Sequence, residues 1–231
     1  MMITLENVSR EYNLDEQVIF PVDNVTLDIE SGEFVMVVGR SGTGKSTLLN
    51  LTAGLIRPTS GRVAIDGMFI DSMADRELSR LRSQKIGYVF QFASLLPSLN
   101  LLENVMAPNM FSKSLNKVSA EKRAVELLDM VALSARSTSY PRNLSAGEQK
   151  RAVIARALMN RPTILLADEP TSDLDEHSEA DIIQRLVEIH GTGVTILMVT
   201  HSMGLTRYAD RTFQMQNGKL ELLQQDKISE C

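Results

Sequence analysis

The sequence lacks the features that mark several classes of protein. Its 231 residues include one cysteine, Cys231, so a disulfide within the chain or a cysteine-rich metal site is excluded, and a reducing compartment is favoured. No apolar run reaches the ~18–20 residues that cross a bilayer. Residues 1–6 show neither the basic start nor the apolar stretch of a signal peptide. The sequence thus predicts no transmembrane segment of its own, and any role at a membrane has to come through a partner.

Strong positive charge is lacking too. The 24 lysines and arginines are outnumbered by 29 aspartates and glutamates, which gives a net charge of −5, whereas a nucleic-acid binder needs a concentrated basic face. Neither an internal repeat nor a low-complexity tract occurs. With 43% hydrophobic and 23% charged residues, the composition is that of a globular chain long enough to bury a core. We therefore expect one large folded domain without a nucleic-acid partner.

Three short apolar runs predict an α/β fold. They lie at residues 34–38, 163–167 and 194–199, and near-continuous apolar runs of this length are typical of parallel strands covered on both faces. In such sheets the ligand lies beyond the carboxyl ends of the strands. We therefore expect phosphate chemistry after these three runs.

The segments around these runs have other patterns. Residues 3–30 and 60–70 alternate apolar and polar side chains, which indicates an antiparallel sheet with turn signals at Ser31-Gly32, Ser60-Gly61 and Asp66-Gly67. Helical patterning dominates residues from about 92 to 160. One helix there is expected to have Ser119 as its N-cap and to place Val125, Leu128 and Val131 or Ala132 on one face.

A glycine-rich segment follows the first apolar run and precedes a helical one. It fits the phosphate-loop pattern G-x-x-x-x-G-K-[ST] with Gly39, Arg40, Ser41, Gly42, Thr43, Gly44, Lys45, Ser46 and Thr47. Its glycines let backbone N–H groups turn inward around an anion. In such a loop Lys45 contacts the β- and γ-phosphates and the Ser46 hydroxyl binds Mg²⁺.

The second apolar run ends in two adjacent carboxylates, Asp168 and Glu169. Asp168 is suited to hold Mg²⁺ through water, and Glu169 to polarise the attacking water as a general base. Alone, the pair equally fits an ordinary strand end with solvated acids. Beside a phosphate loop, it predicts nucleotide hydrolysis.

A further motif opens the helical run that precedes these acids. Residues 144–151 read Leu-Ser-Ala-Gly-Glu-Gln-Lys-Arg, a small-residue turn that offers the Ser145 hydroxyl and the Gly147 N–H to an anion. A plain capping box, with Ser145 as cap and Glu148 at the third helical position, explains the same residues, and both interpretations can hold together. The segment resembles the signature of ABC (ATP-binding cassette) ATPases, usually Leu-Ser-Gly-Gly-Gln.

The resemblance to ABC ATPases extends over essentially the whole chain, because four more sites match in the family's order. Tyr12 is similar to the aromatic residue that stacks on adenine, and Gln91 to the glutamine that senses Mg²⁺ and the attacking water. Ser172 to Asp175 resembles the loop at the dimer interface, and His201 the histidine that contacts the γ-phosphate.

This resemblance implies an ATPase that uses Mg²⁺ and has a P-loop NTPase fold. A RecA-like parallel core and an N-terminal antiparallel β subdomain would take residues 1–90 and 160–231, and an inserted helical subdomain residues 91–159. The implied site comprises the phosphate loop and Tyr12 for nucleotide binding, with the signature residues Ser145, Gly147 and Glu148. The resemblance assigns metal binding to Ser46, Gln91 and Asp168. It assigns catalysis to Lys45, Gln91, Glu169 and His201.

The resemblance also implies partners. In the family the signature of one subunit completes the nucleotide site of another, so a homodimer is expected, held on the cytoplasmic face of the membrane by a permease. Residues 91–105 are rich in Leu and Phe and are either packed within the helical region or a groove for a permease helix. With residues 140–143 and Glu148, this segment resembles the lipoprotein-releasing (LolD), macrolide-exporting (MacB) and cell-division (FtsE) ATPases.

Three residues depart from the family pattern. Ala146 stands where glycine is common, which is compatible with a helical or extended backbone but not with most positive φ values. Glu148 replaces the usual glutamine and adds negative charge near a phosphate site. Asp173 stands where a small or amide residue is frequent. No catalytic acid is missing, so an active enzyme is expected.

Other functions account for fewer of these residues. An ABC ATPase acting on chromosomes would carry a long coiled-coil insertion, and one acting on ribosomes two fused cassettes, neither of which the sequence shows. A P-loop kinase would leave the signature and His201 unexplained. Glu169 argues against a nucleotide-binding regulator without turnover. An importer subunit remains an alternative to an exporter.

Overall fold

Strands and helices alternate along the chain in the computed structural model, which describes residues 1–14, 17–112 and 115–223; Cys231 lies outside these ranges. The strands are β1 Ile3–Leu14, β2 Gln17–Ile29, β3 Phe34–Val38, β4 Ser60–Ile65, β5 Met68–Phe69, β6 Ile86–Val89, β7 Ile164–Asp168, β8 Thr195–Thr200, β9 Arg211–Gln216 and β10 Lys219–Leu223. The α-helices are α1 Lys45–Thr52, α2 Asp75–Lys85, α3 Leu101–Ser112, α4 Lys117–Met130, α5 Ala146–Ala157 and α6 Glu176–His190. The chain divides into two compact units, residues 1–72 with 195–231 and residues 73–194.

The first unit contains the predicted antiparallel sheet, with strand order β2-β1-β4-β5. Ile3 pairs with Ile29 on one side and Ile65 on the other, and all three side chains are fully buried. The alternating pattern is therefore confirmed, because every second residue faces the core.

One of the three predicted turns in this sheet is wrong. Residues 31–32 and 66–67 form turns, but Ser60 and Gly61 lie inside β4. Gly61 has a φ of 81° and lies opposite an irregular stretch of β1, where the register shifts between Glu6 and Ser9. The glycine thus accommodates a bulge in the ladder, because a β-bulge, like a turn, can use its left-handed conformation.

Parallel strands complete the first unit. β3 lies between β8 and β9 and runs parallel to both, while β10 is antiparallel to β9. Every residue of β3 and β8 is buried, as the apolar runs predicted. The register pairs Val38 with Thr200, so these two strands end side by side.

The second unit combines a parallel strand pair with helices α2 to α6. β6 and β7 pair from Ile86 with Ile164 to Val89 with Ala167, and all of β7 is buried, which confirms the second apolar run as a strand. Helix α3 packs against α4 and α5. The predicted helical region between residues 92 and 160 is confirmed. No helix among the described residues is both long and apolar enough to cross a membrane.

Two helices differ from the predictions. Helix α4 begins after Asn116, whose side chain accepts the N–H of Ser119 at 2.9 Å, so Ser119 lies in the first turn and is not the cap. Val125 is exposed, and Ala120, Ala124, Leu127 and Leu128 form the buried face. Helix α2 was not predicted, because it is mostly charged and buries only Leu78 and Leu81.

A buried asparagine organises the loop before α3. Asn104 is fully buried, and its Oδ1 accepts the N–H of Leu96 at 2.7 Å. Its Nδ2 lies 3.1 Å from the carbonyl oxygen of Leu96 and 3.0 Å from those of Leu99 and Asn100. The backbone of residues 96–100 is therefore fixed by one side chain from the helix that follows it.

Candidate active site

The glycine-rich segment is a loop between β3 and α1, as predicted. Gly44 is the N-cap of α1 with a φ of 105°, and no side chain caps this helix. The buried Lys45 folds back over the loop, where its Nζ donates to the carbonyl oxygens of Gly39 at 2.7 Å and Arg40 at 3.0 Å. A cation and a helix N-terminus are thus held together, which is an arrangement that binds phosphate.

His201 lies beside this loop because of the strand register. The N–H of Gly39 donates to the carbonyl oxygen of Thr200 at 3.2 Å, and His201 is the next residue after β8. Gly39, Arg40, Ser41 and His201 share the lining of a cavity of about 490 Å³. The structure therefore brings the predicted histidine and the start of the phosphate loop to one cavity.

Tyr12 belongs to the same unit. It lies in β1, pairs with Ile19 of β2, and has the guanidinium carbon of Arg10 4.6 Å from its ring centroid. Further along β2, the carbonyl group of Pro21 packs directly against Gly44. The hairpin that carries Tyr12 thus contacts the end of the phosphate loop.

The two predicted acids lie at the end of β7 in the second unit. Asp168 and Glu169 are each only 7% exposed. Burial, and secondly the charge of Asp168, raises the pKa of Tyr88. Glu169 has a φ of 45°, a left-handed conformation that is uncommon for a residue with a side chain. Strained backbone of this kind is concentrated at functional sites.

The signature segment has the geometry of a capped helix start. Ala146 is the first residue of α5 and Ser145 its N-cap, so alanine replaces glycine at a helical position, as expected. The Ser145 Oγ accepts the N–H of Glu148 at 3.2 Å, and Glu148 Oε2 accepts the N–H of Ser145 at 2.8 Å. Ser145 itself is exposed and Gly147 is buried. The predicted capping box is confirmed, and its cap side chain remains accessible.

Three side-chain contacts near the candidate site residues were not predicted from the sequence. Arg136 Nε donates to Glu148 Oε1 at 3.1 Å, Asp175 caps α6 through the N–H of Ser178 at 2.9 Å, and Lys150 reaches the backbone of Gln91. The Asp175 cap could have been predicted, because an Asp directly before a helical pattern is a common N-cap. The other two join residues 12 and 59 positions apart, for which the sequence carries no local signal.

Comparison with known proteins identifies the family. The ABC transporter family profile matches residues 22–172, which contain the phosphate loop, Gln91, the signature and both acids. The chain belongs to the ABC transporter ATP-binding family. The cassette is accordingly an ATPase with the P-loop NTPase fold.

Relatives are similar over nearly the whole cassette. The lipoprotein-releasing system ATP-binding protein LolD of Bacteroides thetaiotaomicron is 41% identical over 221 residues, covering 95% of this chain and 99% of LolD. The macrolide export ATP-binding/permease protein MacB of Agrobacterium fabrum is 40% identical over 217 residues, covering 94% of this chain but 33% of MacB.

A solved structure has the same fold. The ABC transporter ATP-binding protein MJ0796 of Methanocaldococcus jannaschii is 43% identical over an alignment of 225 positions that covers 95% of each chain. Its dimeric post-hydrolysis state, bound to ADP and phosphate, superposes with a TM-score of 0.89 at 40% identity, covering 95% of this chain and 97% of that one.

Proposed function

We propose that this ATPase works as a homodimer that binds ATP between its subunits and drives a membrane-embedded permease. The main observation behind this proposal is that one chain has two helix N-termini suited to bind anions, that of α1 after Gly44 and that of α5 after Ser145. The first N–H groups of a helix have no partner within it and attract negative charge. The α1 site suffices for the phosphates of the chain's own ATP, so the exposed α5 site is available to ATP on a second subunit. The dimer of MJ0796 with ADP and phosphate supports this arrangement.

The residue roles follow from the chemistry of each group. The phosphate loop, residues 39–47, binds the phosphates, Tyr12 stacks on adenine, and Ser145 and Gly147 with Glu148 contact the ATP of the other subunit. Glu169 polarises the attacking water, while Gln91 and His201 orient the water and the γ-phosphate. Lys45 stabilises the charge that develops on the phosphates.

The proposed metal ligands suit Mg²⁺. Ser46 offers a hydroxyl, Gln91 an amide oxygen and Asp168 a carboxylate, and oxygen ligands of this kind are those that Mg²⁺ prefers. Buried Asp168 also provides the negative charge that such a site needs. When bound, Mg²⁺ neutralises charge on the phosphates.

Replacing the proposed base tests the dimer and the chemistry together. Glu169→Gln keeps the shape of the side chain but cannot accept a proton, so phosphate release should fall at least about a hundredfold while ATP still joins the subunits. Light scattering with size exclusion should show an ATP-dependent dimer, and Glu121→Gln on exposed α4 is the matched control. Turnover at the wild-type rate would contradict the role of Glu169, and a monomer at saturating ATP would contradict the dimer.

The second unit carries an apolar surface suited to a permease. A cavity of about 340 Å³ is lined by Tyr88, Phe90 and Phe111 among others, and the rings of Tyr88 and Phe90 stack at 4.2 Å. Of the aromatic side chains at this cavity, Phe111 is 87% exposed and Phe90 41%; Phe92, which follows in the chain, is 75% exposed. Exposed aromatic side chains around a groove are typical of protein interfaces, and an apolar helix fits such a groove.

The Leu- and Phe-rich segment divides between the two roles considered for it. Leu95, Leu101 and Val105 are buried and belong to the packing of the helical region. Phe92 and Leu96 are exposed, and we assign these two to the permease surface. We propose that this docking attaches the cassette peripherally to the cytoplasmic face of the membrane. Residues 91–159 form the proposed helical subdomain.

We propose export or lipoprotein release as the transport process, because LolD and MacB carry those activities in their names. Purifying the membrane partner with the cassette tests this. A partner with few spans and a large extracytoplasmic domain is expected. Many spans and an associated solute-binding protein would show an importer.

A further inference from the structure

A lysine of the signature helix reaches the backbone of two catalytic segments. Lys150 lies in the second turn of α5 and is 7% exposed. Its ammonium group donates to the carbonyl oxygen of Gln91, and it lies 3.5 Å from the carbonyl oxygen of Glu169 and 3.4 Å from Ser172 Oγ. One cation therefore contacts the segments after β6 and β7.

Three carboxylates act on the buried ammonium group of Lys150. Burial has the largest effect and lowers the pKa of Lys150 from its ordinary value, while the carboxylates of Asp173, Glu169 and Asp168 offset part of that shift. Asp168 and Glu169 are adjacent, Asp173 follows four residues later, and their like charges repel one another. An ammonium among them reduces that repulsion and replaces part of its own lost hydration with carbonyl oxygens.

The backbone that Lys150 contacts is in an unusual conformation. Glu169 has a φ of 45° and Asp173 one of 62°, and such conformations persist only where surrounding contacts hold them. The carbonyl oxygen of Glu169 accepts the N–H of Ser172 at 3.1 Å and also faces Lys150. The ammonium thus supports the turn that aims the Glu169 side chain.

We propose that Lys150 is a positioning residue that ties Gln91 and Glu169 to the signature helix, so that water activation depends on where this helix lies. The inference rests on the roles proposed above for Gln91, Glu169 and the signature. Ser145 and Lys150 belong to one rigid helix and are about 7.5 Å apart along its axis. When Ser145 engages nucleotide, a shift of α5 moves the ammonium group against both carbonyl oxygens.

Three substitutions at Lys150 separate positioning from binding. Lys150→Met removes the charge at similar length, and we expect kcat per ATP-binding site to fall roughly tenfold as the charge-assisted contacts are lost. The KM for ATP should stay within about twofold, because Lys150 contacts Gln91, Glu169 and Ser172, and none of these is assigned to phosphate binding. Lys150→Gln should give an intermediate kcat, and Lys150→Arg should regain most of it. Lys122→Met, an exposed lysine on α4, is the control.

The possible outcomes lead to different conclusions. Unchanged kcat in Lys150→Met, or a raised KM at unchanged kcat, overturns the inference. So does a lower unfolding temperature with unchanged kcat per site in Lys150→Met or Lys150→Gln, since that result shows a structural contact alone. Glu169→Gln is assayed in parallel. If it also turns over normally, the assignment of the base fails, whereas an inactive Glu169→Gln beside a normal Lys150→Met refutes Lys150 alone.

Discussion

Glu148 shows how a charge that departs from the family pattern is accommodated by its neighbours. One carboxylate oxygen accepts the Ser145 N–H and the other accepts Arg136 Nε. The backbone hydrogen bond from Ser145 is the main reason that the pKa of Glu148 is lowered from its ordinary value of 4.5. The negative charge of Glu148 thus accepts the capping hydrogen bond and is paired with Arg136. Ser145 itself stays exposed to solvent.

The lowered pKa of Glu148 predicts how this cap responds to acid. Its stabilisation should be complete above pH 4.5, the ordinary value, and should be lost as the pH falls through the lower pKa of the folded state. The difference in unfolding free energy between wild type and Glu148→Gln should therefore shrink below that pH. Urea unfolding at pH 7 and at a series of values below 4.5 measures it. A difference that grows on acidification would contradict the prediction, and Glu121→Gln is the exposed control.

At the scale of single elements, the phosphate loop depends on close approach between two segments. A Cβ atom at Gly44 would overlap the carbonyl group of Pro21, and the φ of 105° is itself unfavourable for a residue with a side chain. The β1–β2 hairpin can contact the loop only because this position has no side chain.

Substitution of Gly44 should therefore lower both the stability of the fold and the affinity for ATP. Gly44→Ala should destabilise the fold by about 2 kcal/mol, lowering Tm by roughly 4–8 °C, and should weaken ATP binding at least about tenfold. Gly67→Ala is the matched control, because Gly67 has a φ of 74° but no atom near the added Cβ. Calorimetry and nucleotide titration measure the two effects. Equal ATP affinity in both variants would refute the role of the close approach.

The sequence predicted the elements whose signals are local. The apolar runs at residues 34–38, 163–167 and 194–199 predicted β3, β7 and β8 to within one residue. Glycine and capping patterns predicted the helix starts after Gly44 and Ser145. Helix α2 was missed because its exposed charged residues carry little periodic signal. The face of α4 was predicted in part: Leu128 and Val131 are buried as expected, whereas Val125 is exposed and the helix begins after Asn116.

At the scale of the whole molecule, the exposed aromatic surface predicts a measurable association. Phe111→Ser removes a large apolar side chain, whose burial contributes about 1.5–3 kcal/mol, so permease binding should weaken roughly tenfold or more. The ATPase activity of the free cassette should not change. Val118→Ser, at a 79% exposed position on α4, is the control. Retained binding by Phe111→Ser in pull-down from membranes would place the permease elsewhere.

The same distinction between local and distant signals applies to the site. The motif residues could be proposed from the sequence because each chemistry needs particular residue types at a fixed spacing. Their supporting contacts were not, since Lys150 meets Gln91 across 59 positions and Arg136 meets Glu148 only through the packing of a loop on a helix. Such contacts follow from tertiary structure, which a residue pattern alone does not encode.

The buried amide of Asn104 has a consequence for this association. Because the Asn104 side chain holds the backbone of residues 96–100, the surface segment that carries Leu96 is ordered before any partner binds. Binding to a preorganised segment loses little conformational entropy. If the proposed permease docks there, its movement against residues 96–100 should displace α3, because the Asn104 side chain joins that backbone to the helix.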